Sequence, residues 1–321
     1  MDRRRFLQTV SASLLTPPLA VEAQPAKGQT IGILMVQSLG VEQFRRQFRE
    51  ALRRRGYVEA QNIRFEFRSD EGDRNRLPEL AAELVRLKVD VIVARLTPAG
   101  TAAKQATHVI PIVCAPCGNP VETGLVASLA RPGGNVTGVA SVGSELARKT
   151  IHFIRDMLPS ARRVAALANA PDPFSTPFAE SIRLGGKDAG IAIDVMMLQS
   201  PQEVDAAFAA LQRARPDAVI VQPTLDLKSC ATLALKYRLP AASIFTEFVE
   251  EGGLMSYAAS DADVYDSVAS FTDKILKGAK PADLPVVQPT KYELALNRKT
   301  AKALGLTIPR SLLLRADRVV E

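Results

Sequence analysis

The sequence predicts an α/β fold with two lobes, each built on a parallel sheet with helices on both faces. Short β-branched runs alternate with helical periodicity after the N-terminal segment. The roughly ten predicted strands suit two sheets better than one. The pattern that runs from Asp90 to Thr97 also returns between Asp217 and Thr224, each time followed by an Ala-rich helix. Two copies of one pattern imply two similar sheets, although chance similarity between βα units is an alternative.

The first series of elements ends near residue 140. Phe44, Phe48 and Leu52 share one helical face, and Gly56 is a natural position for a helix end. Pro78 suits a first helical turn. The predicted strands are 31–36, 63–67, 91–94, 110–114 and 136–140, and the last predicted helix between them covers 99–107.

The second series begins after the turn-forming residues 131–135. Its apolar residues again alternate between helical and strand periods, which favours right-handed crossovers in a parallel sheet. The predicted helices are 145–158, 177–189, 202–214 and 227–237, and the predicted strands are 164–168, 191–198, 218–222 and 241–245.

The composition is that of an ordinary folded protein and excludes several function classes. The chain has 321 residues, of which 47% are hydrophobic and 23% charged. Its net charge of +7 arises from basic residues interspersed with acidic ones, so nucleic acid is not expected as a partner. Trp is absent, which leaves few side chains for base stacking. With 2 His and 3 Cys residues, a His-rich metal centre is out of reach, and we expect no metal and no cofactor.

Residues 1–23 are predicted to be an export signal that is cleaved near Ala23. Arg3-Arg4-Arg5-Phe6-Leu7-Gln8 resembles the twin-arginine motif and precedes a modestly apolar stretch, Val10–Leu19. This stretch is too short, and too broken by Pro17-Pro18, to span a bilayer. We therefore expect a mature protein that works outside the cytoplasm.

Ligands of open parallel sheets bind beyond the carboxyl ends of the strands, close to helix N-termini. If two such sheets face each other, both sets of strand ends line one cleft. Thr97-Pro98 is the most informative pair, because a Thr N-cap before Pro leaves N–H groups available for a carboxylate. Plain helix capping is the alternative. The predicted ligand-binding residues are Ser38, Thr97, Pro98, Asn119, Thr123, Ser141, Asn169, Thr224, Asp226 and Glu247.

Acidic and aromatic side chains near these strand ends suit an amino-acid-like ligand. Asp172, Asp226 and Glu247 are candidates for an ammonium partner, and solvated loop charges are the alternative. The candidates for an apolar wall are Phe174, Phe245, Phe248 and Tyr257, with core packing as the default for Phe245.

Signals of catalysis are weak, and no catalytic residue is predicted. Cys114 and Cys117 have the C-x-x-C spacing of redox motifs, but Gly118-Asn119-Pro120 stands where a helix should begin. A structural pair of buried thiols or a strained disulfide is favoured over redox catalysis in an oxidising compartment. His108 and His152 lack partners at metal-binding spacing. The sequence argues against an enzyme.

Several segments together resemble the substrate-binding proteins of ABC transporters, in an uncharacterised group with tryptophan-binding members. The resemblance covers essentially the whole chain. It rests on Arg3–Leu7, Gly56–Glu59, Leu77–Val85, Ala130–Gly138, Gly252–Tyr257 and Leu304–Pro309.

The resemblance implies a type I periplasmic-binding fold, with two Rossmann-like lobes joined by three crossing segments. The lobes would comprise residues 28–140 plus 256–284 and residues 141–255 plus 285–321. It further implies a periplasmic monomer that binds a small metabolite, aromatic amino acids being best attested, and that works with a membrane permease and its ATPase. Many members have Asp-Pro where this chain has Asn119-Pro120, so a charge that could meet an ammonium group is missing here.

Three hypotheses follow for the function. The leading one is a solute receptor of an ABC importer that acts by hinge closure. A periplasmic thiol-disulfide oxidoreductase using Cys114 and Cys117 is the second, and a ligand-sensing subunit for a membrane kinase is the third. A cytoplasmic repressor is disfavoured, because its DNA-binding headpiece would have to occupy the export signal.

Overall fold

A computed structural model describes residues 28–36 and 40–321. The predicted export signal, residues 1–23, lies outside the described residues. The described chain forms two sheets with helices on both faces, which confirms the predicted α/β class. Strands and helices alternate through most of its length.

The smaller sheet has five parallel strands in the order β2-β1-β3-β4-β5. Its strands are β1 (Gln29–Met35), β2 (Ile63–Ser69), β3 (Val91–Ala94), β4 (Ile112–Gly118) and β5 (Val136–Ser141). The helices that connect them are α1 (Val41–Arg53), α2 (Leu77–Arg86) and α3 (Thr97–Ala106). We call this sheet and its helices the first lobe.

The larger sheet has seven strands in the order β12-β11-β10-β9-β8-β6-β7, and only the β10–β11 pair among them is antiparallel. Its strands are β6 (Arg163–Asn169), β7 (Ala192–Leu198), β8 (Ala218–Val221), β9 (Ala241–Ser243), β10 (Met255–Ala259), β11 (Tyr292–Asn297) and β12 (Arg318–Val320). The helices from residue 143 onward are α4 (Gly143–Met157), α5 (Ser175–Ala189), α6 (Val204–Ala214), α7 (Leu227–Lys236), α8 (Glu247–Glu250), α9 (Asp261–Leu276), α10 (Arg298–Leu304) and α11 (Arg310–Arg315). All of these helices except α9 belong with the larger sheet, and together they form the second lobe.

Burial on both faces explains why the central strands are almost entirely apolar. In β1, every residue from Ile31 to Met35 is buried, as expected for a strand covered by helices on each side. The connecting helices are amphipathic instead: α1 buries Phe44, Phe48, Ala51 and Leu52 on one face. Each sheet therefore has apolar clusters on both faces, and each lobe has its own core.

The chain changes lobes three times, near but not at the predicted boundaries. Met255–Ala259 pairs with β9 and β11, so residues 256–259 belong to the second lobe, contrary to the predicted division at 256. Helix α9 then returns to the first lobe, where Val268 and Ala269 are fully buried. Val287 still pairs with Val139 of β5 in the first lobe. The third crossing thus comes after residue 287 rather than at the predicted 285.

The ends of the strands and the C-terminal elements were predicted less accurately from hydrophobic periodicity than the central elements. The predicted strand 110–114 is longer in the structure, where β4 continues to Gly118. The elements after residue 245, including the antiparallel pair β10–β11, were not predicted individually. In the part of the chain that the structure covers, none of the helices combines the length and apolar character needed to cross a bilayer.

Gly138 offers a test of the packing between β4 and β5. Its φ is +122°, and a Cβ there would lie 2.5 Å from the backbone N of Cys114. We expect Gly138→Ala to lower the free energy of unfolding by about 2 kcal/mol or more, because strained φ and a backbone clash combine. Gly134→Ala is the matched control, since a Cβ at Gly134 meets nothing within 4 Å. Urea unfolding of both variants measures the difference, and equal effects would contradict this packing.

Candidate functional site

The carboxyl ends of the two sheets face each other and enclose a cavity of about 30 Å³. A cavity of this volume has room for only about one or two water molecules. Side chains of the two lobes also contact each other across the seam, so the lobes are closed on each other in this structure. We call this space the interlobe cavity. Both lobes contribute to its wall, which consists of Leu96, Thr97, Pro116, Gly118, Ser141, Asp172, Phe174, Pro223, Thr224, Ile244 and Phe245.

Phe174 lies in the seam between the lobes. It precedes α5 in the second lobe, yet its ring lies against Gly118 at the end of β4 in the first. A Cβ at Gly118 would lie 2.8 Å from the ring, and one at Gly143 would lie 2.5 Å from it. Glycine at both positions is therefore what allows this ring to enter the seam between the lobes. The ring also lies 6.0 Å, centroid to centroid, from Phe178 in the core.

Asp172 supplies a buried carboxylate to the wall of the interlobe cavity. It accepts hydrogen bonds from the Phe174 backbone N–H at 2.9 Å, the Gln222 side-chain amide at 2.7 Å and the Thr224 hydroxyl at 2.8 Å. Burial raises the pKa of Asp172 to about 6, although these donors favour the ionised form. A carboxylate offers about four acceptor positions, so a further donor can still bind it.

Thr97 is the first residue of α3, and its side chain forms a hydrogen bond with the end of β4. It is therefore not the N-cap residue, contrary to the prediction. Helix α3 begins at Thr97, and Leu96 precedes it as the N-cap with a φ of 69°. The Thr97 hydroxyl instead accepts a hydrogen bond from the Gly118 backbone N–H at 2.9 Å. The first turn of α3 nevertheless lies at the cavity, and the N–H groups of a first turn have no partner within the helix.

A buried ion pair joins the two lobes beside the cavity. Arg95 follows β3 in the first lobe, and its guanidinium lies 2.5 Å from the carboxylate of Glu247 at the start of α8 in the second. Both side chains are 3% exposed. The guanidinium also lies over the ring of Phe245, 4.9 Å from its centroid. Because Phe245 lines the interlobe cavity, this ion pair directly supports the cavity wall.

A second contact between the lobes involves Arg74, in the short 3-10 helix that follows β2. Arg74 donates hydrogen bonds to the buried Asp70 carboxylate and, across the cleft, to the backbone carbonyl of Thr224. It borders an outer cavity of about 620 Å³ that adjoins the interlobe cavity at Thr224. The outer cavity is lined by residues 71–75 of the first lobe and by Asn169, Pro171, Gln199, Ser200, Pro201, Gln202, Thr224, Leu225 and Asp226 of the second.

Five of the predicted ligand-binding residues lie at the walls of these cavities, and the fifth, Asp226, also caps a helix. Thr97 and Ser141 line the interlobe cavity, Asn169 lines the outer one, and Thr224 borders both. The Asn169 side chain donates to the Thr224 hydroxyl at 3.3 Å. Pro98 is buried in the first turn of α3.

The remaining predicted residues have other partners. The Asn119 amide donates to Glu122 and Ser144 at a third cavity of about 320 Å³, which shares Ser141 with the interlobe cavity. The Thr123 hydroxyl lies within donating distance of the Gly118 and Asn119 carbonyls and donates to one of them at a time. Asp226 lines the outer cavity but caps α7, accepting from the Lys228 and Ser229 N–H groups. Glu247 forms an ion pair with Arg95 of this same chain.

Of the four candidates for an apolar wall, Phe174 and Phe245 line the interlobe cavity, whereas Phe248 and Tyr257 lie in the core of the second lobe. Ser38 lies outside the described residues.

Sequence reasoning missed Arg95, Gln222 and Arg74. Arg95 and Gln222 each stand immediately after an apolar strand, at the positions where a parallel sheet presents side chains to a ligand. A charged or amide residue directly after such a strand was therefore an available signal. Arg74 gave no such signal, because it follows a turn whose path only the folded chain reveals.

The cysteine pair forms a disulfide within β4, with 5.4 Å between the two Cα atoms. Cys114 and Cys117 are both buried. A redox-active pair needs an accessible sulfur and usually lies at a helix N-terminus. The geometry therefore does not favour the thiol-disulfide oxidoreductase hypothesis.

Comparison with known proteins decides the family. The model of the family "ABC transporter substrate binding protein" matches residues 31–320. This chain belongs to that family. A tyrosine-binding protein of Clostridioides difficile is 26% identical over 284 residues, which is 87% of this chain and 82% of that protein.

Solved structures are similar to this chain in fold. An ABC domain from Streptococcus pneumonia in complex with L-Trp is 27% identical, with a TM-score of 0.84 over 91% of this chain and 100% of that one. A ligand-free, open substrate-binding protein with adhesive properties from Clostridium difficile has 23% identity and a TM-score of 0.63 over 91% of this chain and 99% of that one. This substrate-binding protein thus has the two-lobed fold that the sequence predicted.

Asp172 gives a pH-dependent prediction. Its pKa of about 6 in the folded protein exceeds the ordinary 3.8, so the folded state retains a proton that the unfolded chain has lost. Stability is therefore expected to fall as the pH rises from about 4 to 6, by about 3 kcal/mol at about 1.4 kcal/mol for each pKa unit. In Asp172→Asn this loss should disappear.

Urea unfolding between pH 4 and 7.5 checks this expectation as the difference between wild type and variant. Asp156→Asn is a suitable control, because Asp156 lies at the surface beside Arg315. A loss of stability in Asp172→Asn as large as that in wild type would refute the assignment.

Proposed function

We propose that this substrate-binding protein captures an aromatic amino acid, or a related aromatic acid, between its lobes and delivers it to an ABC importer. The observation that carries the proposal is the composition of the interlobe cavity. One buried carboxylate, the first turn of a helix and two phenylalanine rings converge there from both lobes. These are the groups that an α-ammonium, an α-carboxylate and an aromatic side chain require.

Each part of such a ligand has a partner in the wall. The ammonium group would donate to Asp172, which still has acceptor capacity. The carboxylate would lie at the N–H groups of the first turn of α3, next to Thr97. The ring would pack against Phe174 and Phe245. The loss of a charge at Asn119 therefore does not remove the ammonium partner, since Asp172 provides one.

Binding requires the lobes to open, because the interlobe cavity of about 30 Å³ is far smaller than an amino acid. Opening is geometrically simple, since the lobes have separate cores and are joined by three crossing segments. A ligand that contacts both lobes then stabilises the closed state and shifts the equilibrium toward it. The relatives that are named as binding tyrosine and as containing L-Trp support the aromatic class.

The partners and location belong to the same proposal. The family membership supports a membrane permease with its ATPase as the recipient of the ligand. The predicted export signal at residues 1–23 supports a periplasmic location. We further propose that the protein acts as a monomer and transforms nothing chemically.

Ligand-induced thermal stabilisation tests the proposal. Protein freed of carried-over ligand by unfolding and refolding is melted with L-tryptophan, L-tyrosine, L-leucine, 3,4-dihydroxybenzoate and ribose. A ligand at 100 times its Kd should stabilise the protein by about 2.7 kcal/mol. A rise in Tm with the aromatic compounds, and none with ribose, is expected. The absence of any shift with the aromatic compounds would refute the aromatic class.

Phe174 and Phe178 form a matched pair for the role of the ring. Phe174 lines the interlobe cavity, whereas Phe178 is fully buried in the core. We expect Phe174→Leu to weaken binding of the best aromatic ligand up to about tenfold, because ring–ring contacts contribute about 0.5–1.5 kcal/mol. Phe178→Leu should lower the Tm and leave the affinity unchanged. Isothermal titration calorimetry distinguishes the two, and equal affinities would contradict the proposed position of the ring.

A further inference from the structure

The buried contact between the lobes contains more than the Arg95–Glu247 ion pair. The carboxylate of Asp261, at the start of α9 in the first lobe, accepts a hydrogen bond from the Thr246 hydroxyl of the second lobe at 3.0 Å. It also accepts one from Gln43 of α1 at 3.1 Å. The hydroxyl of Tyr265, a residue of α9, interacts electrostatically with the Arg95 guanidinium. We call Arg95, Thr246, Glu247, Asp261 and Tyr265 the interlobe charge cluster.

The positive and negative charges of this cluster are unequal in number. Arg95 provides one positive charge, whereas Glu247 and Asp261 provide two carboxylates. Glu250 adds a further negative charge nearby and is itself paired with Arg318. The Thr246 hydroxyl has a single proton, and it lies 3.0 Å from Asp261 and 3.4 Å from Glu247, so it can donate to only one of them at a time.

A net negative charge in a seam from which water is largely excluded is unfavourable. One bound proton makes the set of Arg95, Glu247 and Asp261 neutral. Burial raises the pKa of Glu247 as well, but Arg95 lies in direct contact with Glu247 and opposes that rise, so the proton belongs on Asp261. Opening of the lobes separates Asp261 from Glu247 and exposes both to water, where a carboxylic acid of ordinary pKa ionises at neutral pH.

We propose that closure of the two lobes is coupled to the uptake of one proton by Asp261. This coupling deepens the proposed function, because it concerns the same closing movement. Its consequence is that mild acid favours the closed state and mild alkali favours the open state. The protein would thus hold its ligand more tightly in an acidified compartment.

The direction of the effect follows from the pKa values. Burial, followed by the negative charge of Glu247, raises the pKa of Asp261 to about 7 in the closed state, from an ordinary 3.8. Arg95 and the Thr246 hydroxyl oppose this rise. Between about pH 4 and 7 the closed state therefore binds a proton that the open state lacks. The ratio of closed to open protein should rise as the pH falls, by up to about tenfold for each pH unit.

Small-angle X-ray scattering of the ligand-free protein between pH 8 and 5 tests the coupling. We expect the radius of gyration of wild type to decrease as the pH falls. Asp261→Asn should lose the change between pH 8 and 6, the range above the pKa of Asp172, and should be more compact than wild type at pH 8. Asp266→Asn on the same helix is the control and should behave as wild type, because Asp266 pairs with Arg54 and Arg55 inside the first lobe.

A second variant keeps the test informative if Asp261→Asn folds poorly. Thr246→Val removes a donor that stabilises ionised Asp261 in the closed state, so the variant should be more open than wild type at pH 8 and as compact as wild type at pH 5, where Asp261 carries the proton. A purely structural role for Thr246 would open the variant equally at both pH values. A radius of gyration independent of pH in wild type, or one that decreases with rising pH, would overturn the proposal.

The scattering result and the binding result are independent of each other. The scattering is measured without any ligand, so failure of the aromatic compounds to bind leaves its interpretation intact. A flat scattering profile with intact ligand binding would overturn the proton coupling alone.

Discussion

Every strand of a parallel sheet ends in polar backbone and side-chain groups that cannot be packed into an apolar core. In this protein two such sheet edges face each other, and polar groups at one edge form ion pairs and hydrogen bonds with polar groups at the other. Arg95 of the first lobe meets Glu247 of the second, and Arg74 reaches the Thr224 carbonyl across the cleft. The seam is thus the contact that closes the molecule, and it is also the place where the proposed ligand would bind.

The energetics of this seam suit a protein that must open and close. The apolar clusters lie within the lobes, so separating the lobes leaves the cores covered. A buried ion pair such as Arg95–Glu247 gains little net free energy, because the desolvation of both charges offsets much of their attraction. Neither the open nor the closed state is then strongly favoured, and the few contacts that a small ligand makes with both lobes suffice to shift the population.

The sequence predicted which strand ends line the cleft better than it predicted which side chains point into it. Strand ends predicted that Thr97, Ser141, Asn169 and Thr224 lie together, and the structure places them at two adjoining cavities. Asn119, predicted by the same reasoning, has a backbone φ of 40° that belongs to a turn, and its amide bonds to Glu122 and Ser144. Position along the chain indicates which edge a residue occupies, whereas the direction of its side chain depends on local turns.

The sequence by itself determined the α/β class and the presence of two lobes, and it predicted the edge at which a ligand would bind, because hydrophobic periodicity and strand order act over short distances along the chain. Only the tertiary structure decided which charges meet. Arg95 and Glu247 are 152 residues apart, and Phe174 enters the seam because Gly118 and Gly143 leave room for its ring. Such pairings depend on how two separately folded lobes dock, and that docking leaves no periodic signal in the sequence.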